Sequence, residues 1–253
     1  MLTHNLGYPR IGSHRELKAA CERYWSGEGG LQELIAAGAE LRKTHWLAQQ
    51  QAGIDLIPCN DFSFYDQVLD MTLALGALPP RYRELKGVDD LDLYFAMARG
   101  YQRDGLDIIA MEMTKWFDTN YHYIVPEFQR SQAFSLNPAK AVGELREARA
   151  QGINAKPVLI GPLSYLLLGK EKEPGFKRSE LLDRLLPVYI ELLQELAAAG
   201  AHYVQIDEPF LALDLDKPLR DAYQGAYARI SAAVPGLKII LASYFAGLRE
   251  NAG

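Results

Sequence analysis

Short apolar runs recur along the chain, and each is followed by an amphipathic stretch. The runs are IDLIPC (54–59), LDIIAMEM (106–113), PVLIGP (157–162), HYVQIDEP (202–209) and KIILASY (238–244), with LTHNLGY (2–8) as a weaker first candidate. Between them lie RELKAACERYW, LQELIAAGAELRKTHWLAQQQAG, LNPAKAVGELREARAQG and SELLDRLLPVYIELLQELAAAG. In the last, Leu181, Leu182, Leu185, Leu186, Ile190, Leu193 and Leu196 recur at helical spacing, and Gly200 is a natural stop. Nearly continuous apolar strands alternating with helices predict a parallel sheet covered on both faces. LPPRYR (78–83) and EKEPGFK (171–177) read as surface connections, and no linker divides the chain.

Polar residues gather after the strands: Asn60, Asp61 and Asp66, then Lys115 to His122, then Asp207 and Glu208, then Ser243 and Tyr244. Both a (β/α)8 barrel and a doubly wound sheet carry their sites at the carboxyl ends of strands. No G-x-G-x-x-G follows any strand, which favours the α/β barrel of the TIM type. The pattern yields about six βα units, and a barrel needs eight. Six strands would leave two unpaired edges. The expectation is that residues 1–253 form an incomplete barrel, the front portion of a longer protein.

Composition narrows the function classes. A net charge of −5 argues against a general nucleic-acid binder. No apolar stretch is long enough for a membrane helix, and the start of the chain lacks a signal-peptide layout. Two cysteines, Cys21 and Cys59, make no disulfide framework. A cytoplasmic enzyme is the default. The five histidines show no H-x-C, H-E-x-x-H or C-x-x-C spacing, so no metal site is expected within the chain.

Three stretches carry candidate chemistry. In 105–127, Lys115 offers an anchor for a carboxylate or phosphate. Trp116, Tyr121 and Tyr123 either form a wall for a flat ring or pack a barrel rim. In QIDEP (205–209), Asp207 and Glu208 serve as acid/base groups or ammonium holders, or one of them caps a turn; alternation along a strand lets only one face the mouth. In RIGSHRELK (10–18), Ser13 with Glu16 three positions later reads as a capping box. The helix start beside Arg10, His14, Arg15 and Lys18 then suits anions, or is simply a solvated basic turn.

HNLGYPRIG (4–12), RELK (15–18), GIDLIPCNDFSFYDQVLD (53–70), MTKWFDTNYHYIVPE (113–127), GPLSYLLLGK (161–170) and QIDEPFLALDL (205–215) together resemble the N-terminal half of cobalamin-independent methionine synthases. The resemblance implies a pair of (β/α)8 barrels that moves a methyl group from 5-methyltetrahydropteroyltri-L-glutamate to L-homocysteine. It implies zinc bound by the C-terminal barrel, which is the chain's expected partner. It assigns Arg15, Glu16, Leu17, Lys18 and Lys115 to the folate substrate, no catalytic residue to this chain, and a structural role to Asp207 and Glu208. Two rivals are a non-catalytic binding or scaffold barrel and a standalone barrel enzyme of another class.

Overall fold

The structure is a computed structural model that describes residues 1–85, 88–103 and 105–252. The chain begins with an extended segment and two helices, α1 (Glu16–Ser26) and α2 (Leu31–Gln51), followed by strand β1 (Ile57–Cys59). Helices α3 (Gln67–Ala74) and α4 (Asp90–Arg99) precede two hairpins. One joins β2 (Tyr101–Arg103) to β3 (Leu106–Ile108), the other β4 (Met113–Lys115) to β5 (His122–Ile124), and both are antiparallel. After β6 (Glu127–Phe128) and α5 (Ala139–Ala150) come β7 (Ala155–Ile160), α6 (Pro162–Leu168), β8 (Lys170–Glu171) and α7 (Leu182–Ala198). The chain closes with β9 (Tyr203–Asp207), α8 (Lys217–Ala233) and β10 (Lys238–Ala242).

The main sheet is parallel, in the order β1-β7-β9-β10. Every residue of β7 is buried, as a strand covered on both faces requires. Helix α7 packs into the same core: Leu185, Leu186, Tyr189, Leu192, Leu193 and Leu196 are all fully buried. Burial of each such side chain contributes about 1.5–3 kcal/mol. Tyr189 and Leu192 occupy the buried stripe where the spacing had pointed to the half-buried Ile190. Gly200, at a φ of 95°, lies just beyond the end of the helix.

The run 106–113 departs from the expected buried parallel strand. Gly100 and Gly105, both at positive φ, let Leu106–Ile108 fold back on Tyr101–Arg103. Ile108 and Met111 enter a core while Ile109 is 72% exposed, so the run is sided rather than buried all round. β1 therefore pairs directly with β7. Among the described residues the sheet is open, and residues 2–8 add only a parallel bridge between His4 and Leu56.

Two apolar clusters meet across the β4–β5 hairpin and α3. Tyr123, Val68 and Met71 belong to the cluster under the sheet, whereas Ile124 and Leu69 belong to the one formed with α1, α2 and α4. Asp66 joins the same two elements. One carboxylate oxygen caps α3 by accepting from Val68 N (2.7 Å) and Leu69 N (3.1 Å), and the other accepts from Ile124 N at 2.9 Å. Burial pushes its pKa up to about 7.

A polar seam fixes the N-terminal segment to the sheet. Lys156, the second residue of β7, is fully buried. Its ammonium donates to Asn5 O at 2.8 Å and to the side-chain oxygen of Gln205 on β9. The Gln205 amide donates to Leu6 O at 2.9 Å and to Asp207 at 2.8 Å. Burial lowers the pKa of Lys156 to about 8 against the pull of Asp207 and Asp61, and raises that of Asp207 to about 7. Further along the segment, Tyr8 N donates to Asp61 (2.8 Å) and Arg10 to Ser63 O (2.7 Å).

Two outcomes are expected from this arrangement. Asp66→Ala removes a cap worth about 1 kcal/mol and strands the buried Ile124 N–H at about 1–3 kcal/mol, so urea unfolding is expected to show a loss of roughly 2–4 kcal/mol. For Asp207 the native state holds its proton up to a higher pH than the unfolded chain does. Wild type is therefore expected to lose stability relative to Asp207→Asn as pH rises from about 4 to about 7, by on the order of 1 kcal/mol or more. Urea midpoints across that range check it, and a constant difference would contradict the assignment.

Candidate functional site

The segment that the seam pins down leads into α1. Gly12 is at a φ of 84°, Arg15 N donates to Gly12 O (3.3 Å) and Leu17 N to Ile11 O (3.2 Å), so residues 11–15 wind tightly before the helix. The N-cap is Arg15, in a left-handed conformation (φ 65°, ψ 35°), and not Ser13. The expected capping box is displaced because this extra turn moves the helix start two residues on. Glu16 still reaches back, accepting from His14 N at 2.9 Å, with Ser13 Oγ at 3.5 Å. Backbone hydrogen bonds, its own first, hold its carboxyl below the usual range.

The four residues of RELK divide by exposure. Leu17 is buried in the second cluster, which anchors the turn. Arg15, Glu16 and Lys18 are exposed. Lys18 meets Glu22 one turn on at 3.4 Å, a solvated pair that leaves the ammonium available. Between this loop and α2 runs a cleft of about 620 Å³, lined by Tyr8, Gly12, Glu16, Leu41, Thr44 and His45. Its wall includes Tyr8 and His45 in ring contact at 4.6 Å.

Lys115 is exposed at the end of β4, opposite His122 on β5. Its ammonium has no hydrogen bond or ion pair among the described residues. Trp116 N donates to Tyr121 O at 2.7 Å and Thr119 N to Trp116 O at 3.1 Å, which closes the hairpin beyond the lysine. The aromatic neighbours separate into two groups. Trp116 and Tyr123 are buried, edge to face at 5.6 Å, and belong to the main core; only Tyr121 is exposed. Two of the three rings thus pack the fold rather than wall a ligand.

Asp207 and Glu208 point to opposite sides, as strand alternation demands. Asp207 is engaged with Gln205 in the seam. Glu208 is fully buried and accepts from Ser164 N (2.9 Å), Tyr223 Oη (3.0 Å) and Tyr227 Oη (2.9 Å). It occupies the space that a Cβ on Gly161 would need, and it ties the start of α6 to α8. Rather than capping a following turn, Glu208 caps a different helix. Both acids are consumed by structure.

Among the described residues the two cysteines are poorly placed for zinc. Cys21 and Cys59 are buried in separate cores, and burial raises both thiols, Cys21 to about 11. No group of three or more His, Cys, Asp or Glu among the described residues is placed to hold a metal. No described helix is long and apolar enough to cross a membrane.

Arg15–Lys18 and Lys115 share no hydrogen bond or ion pair among the described residues. Arg10 links their two loops, with its guanidinium 5.9 Å from the Tyr121 ring centroid. Sequence reasoning grouped Arg10 with the basic cluster but gave it no part in the site. Lys156 and Gln205 were missed, although a glutamine inside the apolar run YVQID was a signal.

The family described as the N-terminal domain of cobalamin-independent synthase matches residues 2–253. The chain is 60% identical over 252 residues to a 5-methyltetrahydropteroyltriglutamate–homocysteine methyltransferase from Flavobacterium johnsoniae, covering 99% of the chain and 33% of the relative. It is 58% identical over 249 residues to the enzyme of the same name from Cytophaga hutchinsonii, covering 97% and 32%. The chain thus spans about a third of the length of these curated relatives. Among solved structures, a B12-independent methionine synthase from Shewanella sp. W3-18-1 aligns with a TM-score of 0.55 at 21% identity, over 85% of this chain and 53% of that one. A putative enzyme of the same kind from Listeria monocytogenes aligns at 0.56 and 17%, over 95% and 65%. At such identities these two support an α/β fold in common. With the family match spanning nearly every residue, the chain belongs to the cobalamin-independent synthase family and corresponds to its N-terminal domain.

Proposed function

We propose that this chain is the N-terminal barrel domain of a two-barrel methyltransferase that moves a methyl group from 5-methyltetrahydropteroyltri-L-glutamate to L-homocysteine. The observation that carries the reading is the 60% identity over 99% of the chain to a relative of that name. Within such an enzyme the chain's share is the folate's polyglutamate tail. That tail is a row of carboxylates, and Arg15, Lys18 and Lys115 are exposed cations that no buried acid among the described residues neutralises. Leu17 holds the first two at the start of α1. Glu16 orders the turn through His14 N.

The open sheet is read as part of a (β/α)8 barrel completed by further strands of the longer protein. Zinc, which would turn the homocysteine thiol into a nucleophile, is assigned to the remaining two thirds of the enzyme. Taken by itself, the chain is a binding module. Its two acids at the end of β9 are already occupied, which favours this over chemistry of its own.

Titration calorimetry of the chain with tri- and monoglutamate forms of 5-methyltetrahydrofolate tests the site. Lys115→Ala and Lys18→Ala are each expected to weaken triglutamate binding by roughly two- to tenfold, the worth of about 0.5–1.5 kcal/mol from a partly exposed charge contact. Monoglutamate binding is expected to change less, and added salt to shrink the difference. Equal, salt-insensitive losses for both ligands would assign the lysines to structure instead.

A further inference from the structure

We infer that Arg10 is a positioning residue that sets the spacing between the helix start carrying Arg15 and Lys18 and the hairpin carrying Lys115. The inference rests on the tail-binding reading above and adds the element that joins its two halves.

Three observations converge on Arg10. Its Nη1 donates to Ser63 O at 2.7 Å, and Ser63 is 1% exposed with its hydroxyl 2.5 Å from Asp70, so the anchor is buried and fixed. The guanidinium lies 5.9 Å from the centroid of Tyr121, the residue next to the Lys115–His122 rung. Five residues after Arg10, the tight turn at Gly12 delivers Arg15 to the start of α1. No carboxylate among the described residues pairs with Arg10. It is held by a carbonyl and an aromatic face, contacts that suit a planar guanidinium and that an ammonium reproduces poorly.

A tail that meets Lys18 with one carboxylate and Lys115 with another needs those cations a set distance apart. Arg10 fixes that distance without touching the ligand. Its loss is therefore felt by ligands long enough to reach both lysines, and it makes the two lysines act independently.

The test is a double-mutant cycle on the 253-residue chain, with Arg10→Met, Lys115→Ala and the pair, titrated with triglutamate and monoglutamate folate. Arg10→Met is expected to weaken triglutamate about threefold or more and monoglutamate little, and Lys115→Ala to cost less in the Arg10→Met background than in wild type. Arg10→Lys is expected to restore only part of the loss. Amide exchange without ligand is expected to rise in both 11–15 and 117–122. Should Arg10→Met not fold, Tyr121→Leu removes the other half of the contact and is expected to give the same pattern. Faster exchange with unchanged triglutamate affinity would reduce Arg10 to a structural anchor and overturn the proposal. If Lys115→Ala weakens triglutamate while Arg10→Met and Tyr121→Leu add independently or do nothing, the proposal fails and the tail site stands. If neither lysine matters for either ligand, the tail site fails and takes this proposal with it.

Discussion

A lysine ammonium buried in the middle of a parallel sheet constrains the rest of this molecule. Removing such a charge from water is costly unless donors and acceptors surround it. Lys156 meets that demand with Gln205 from the neighbouring strand and with the carbonyl of Asn5. Gln205 in turn takes the carbonyl of Leu6 and the carboxyl of Asp207. Two of these acceptors belong to the first six residues of the chain, so the N-terminal segment must lie against β7 and β9. From that fixed point the backbone passes Asp61 and Ser63 and enters the turn that launches α1. The position of the basic residues at 15 and 18 is thus a consequence of a charge buried about 140 residues downstream.

What the sequence revealed and what it hid follow from whether the signal was local. The stripe of α7 and the buried strands 155–160 and 203–207 were readable because burial imposes a period on neighbouring positions. The run LDIIAMEM has the composition of a buried strand. Its pairing, however, was decided by Gly100 and Gly105, which permit a hairpin, and by an alternation of burial that composition alone does not show. Ser13 and Glu16 had the spacing of a capping box, but the contacts of Gly12 and Ile11 shifted the helix start. Lys156 sits in AKPVLI with nothing beside it to announce its partners, which lie 49 and 151 residues away. The cations Arg15, Lys18 and Lys115 stood out locally as anion-binding candidates, family resemblance assigned them to the folate, and the structure leaves their charges at the surface.

The division of polar groups sets what this domain can contribute. Asp66, Asp207 and Glu208 have the raised pKa values that often mark catalytic acids, yet each is engaged structurally, Asp66 and Glu208 by three donors apiece and Asp207 by Gln205. Desolvation shifts them, and their hydrogen bonds spend them on holding elements together. The basic residues Arg15, Lys18 and Lys115 are the reverse: exposed, with only the solvated Lys18–Glu22 pair among the described residues. On the function proposed above, such a surface binds a flexible polyanion through several modest contacts whose spacing matters more than any single strength. On that reading, chemistry falls to the remaining two thirds of the longer enzyme.

The most direct measurement of this account is limited trypsin digestion of the native chain and of Lys156→Met, a substitution of similar length that removes the charge. If the buried ammonium pins the N-terminal segment, the variant is cut after Arg10 and Arg15 many times faster than wild type, while sites in α5 and α8 stay protected. Equal cleavage rates at Arg10 and Arg15 in both proteins would contradict the claim that the seam positions the site.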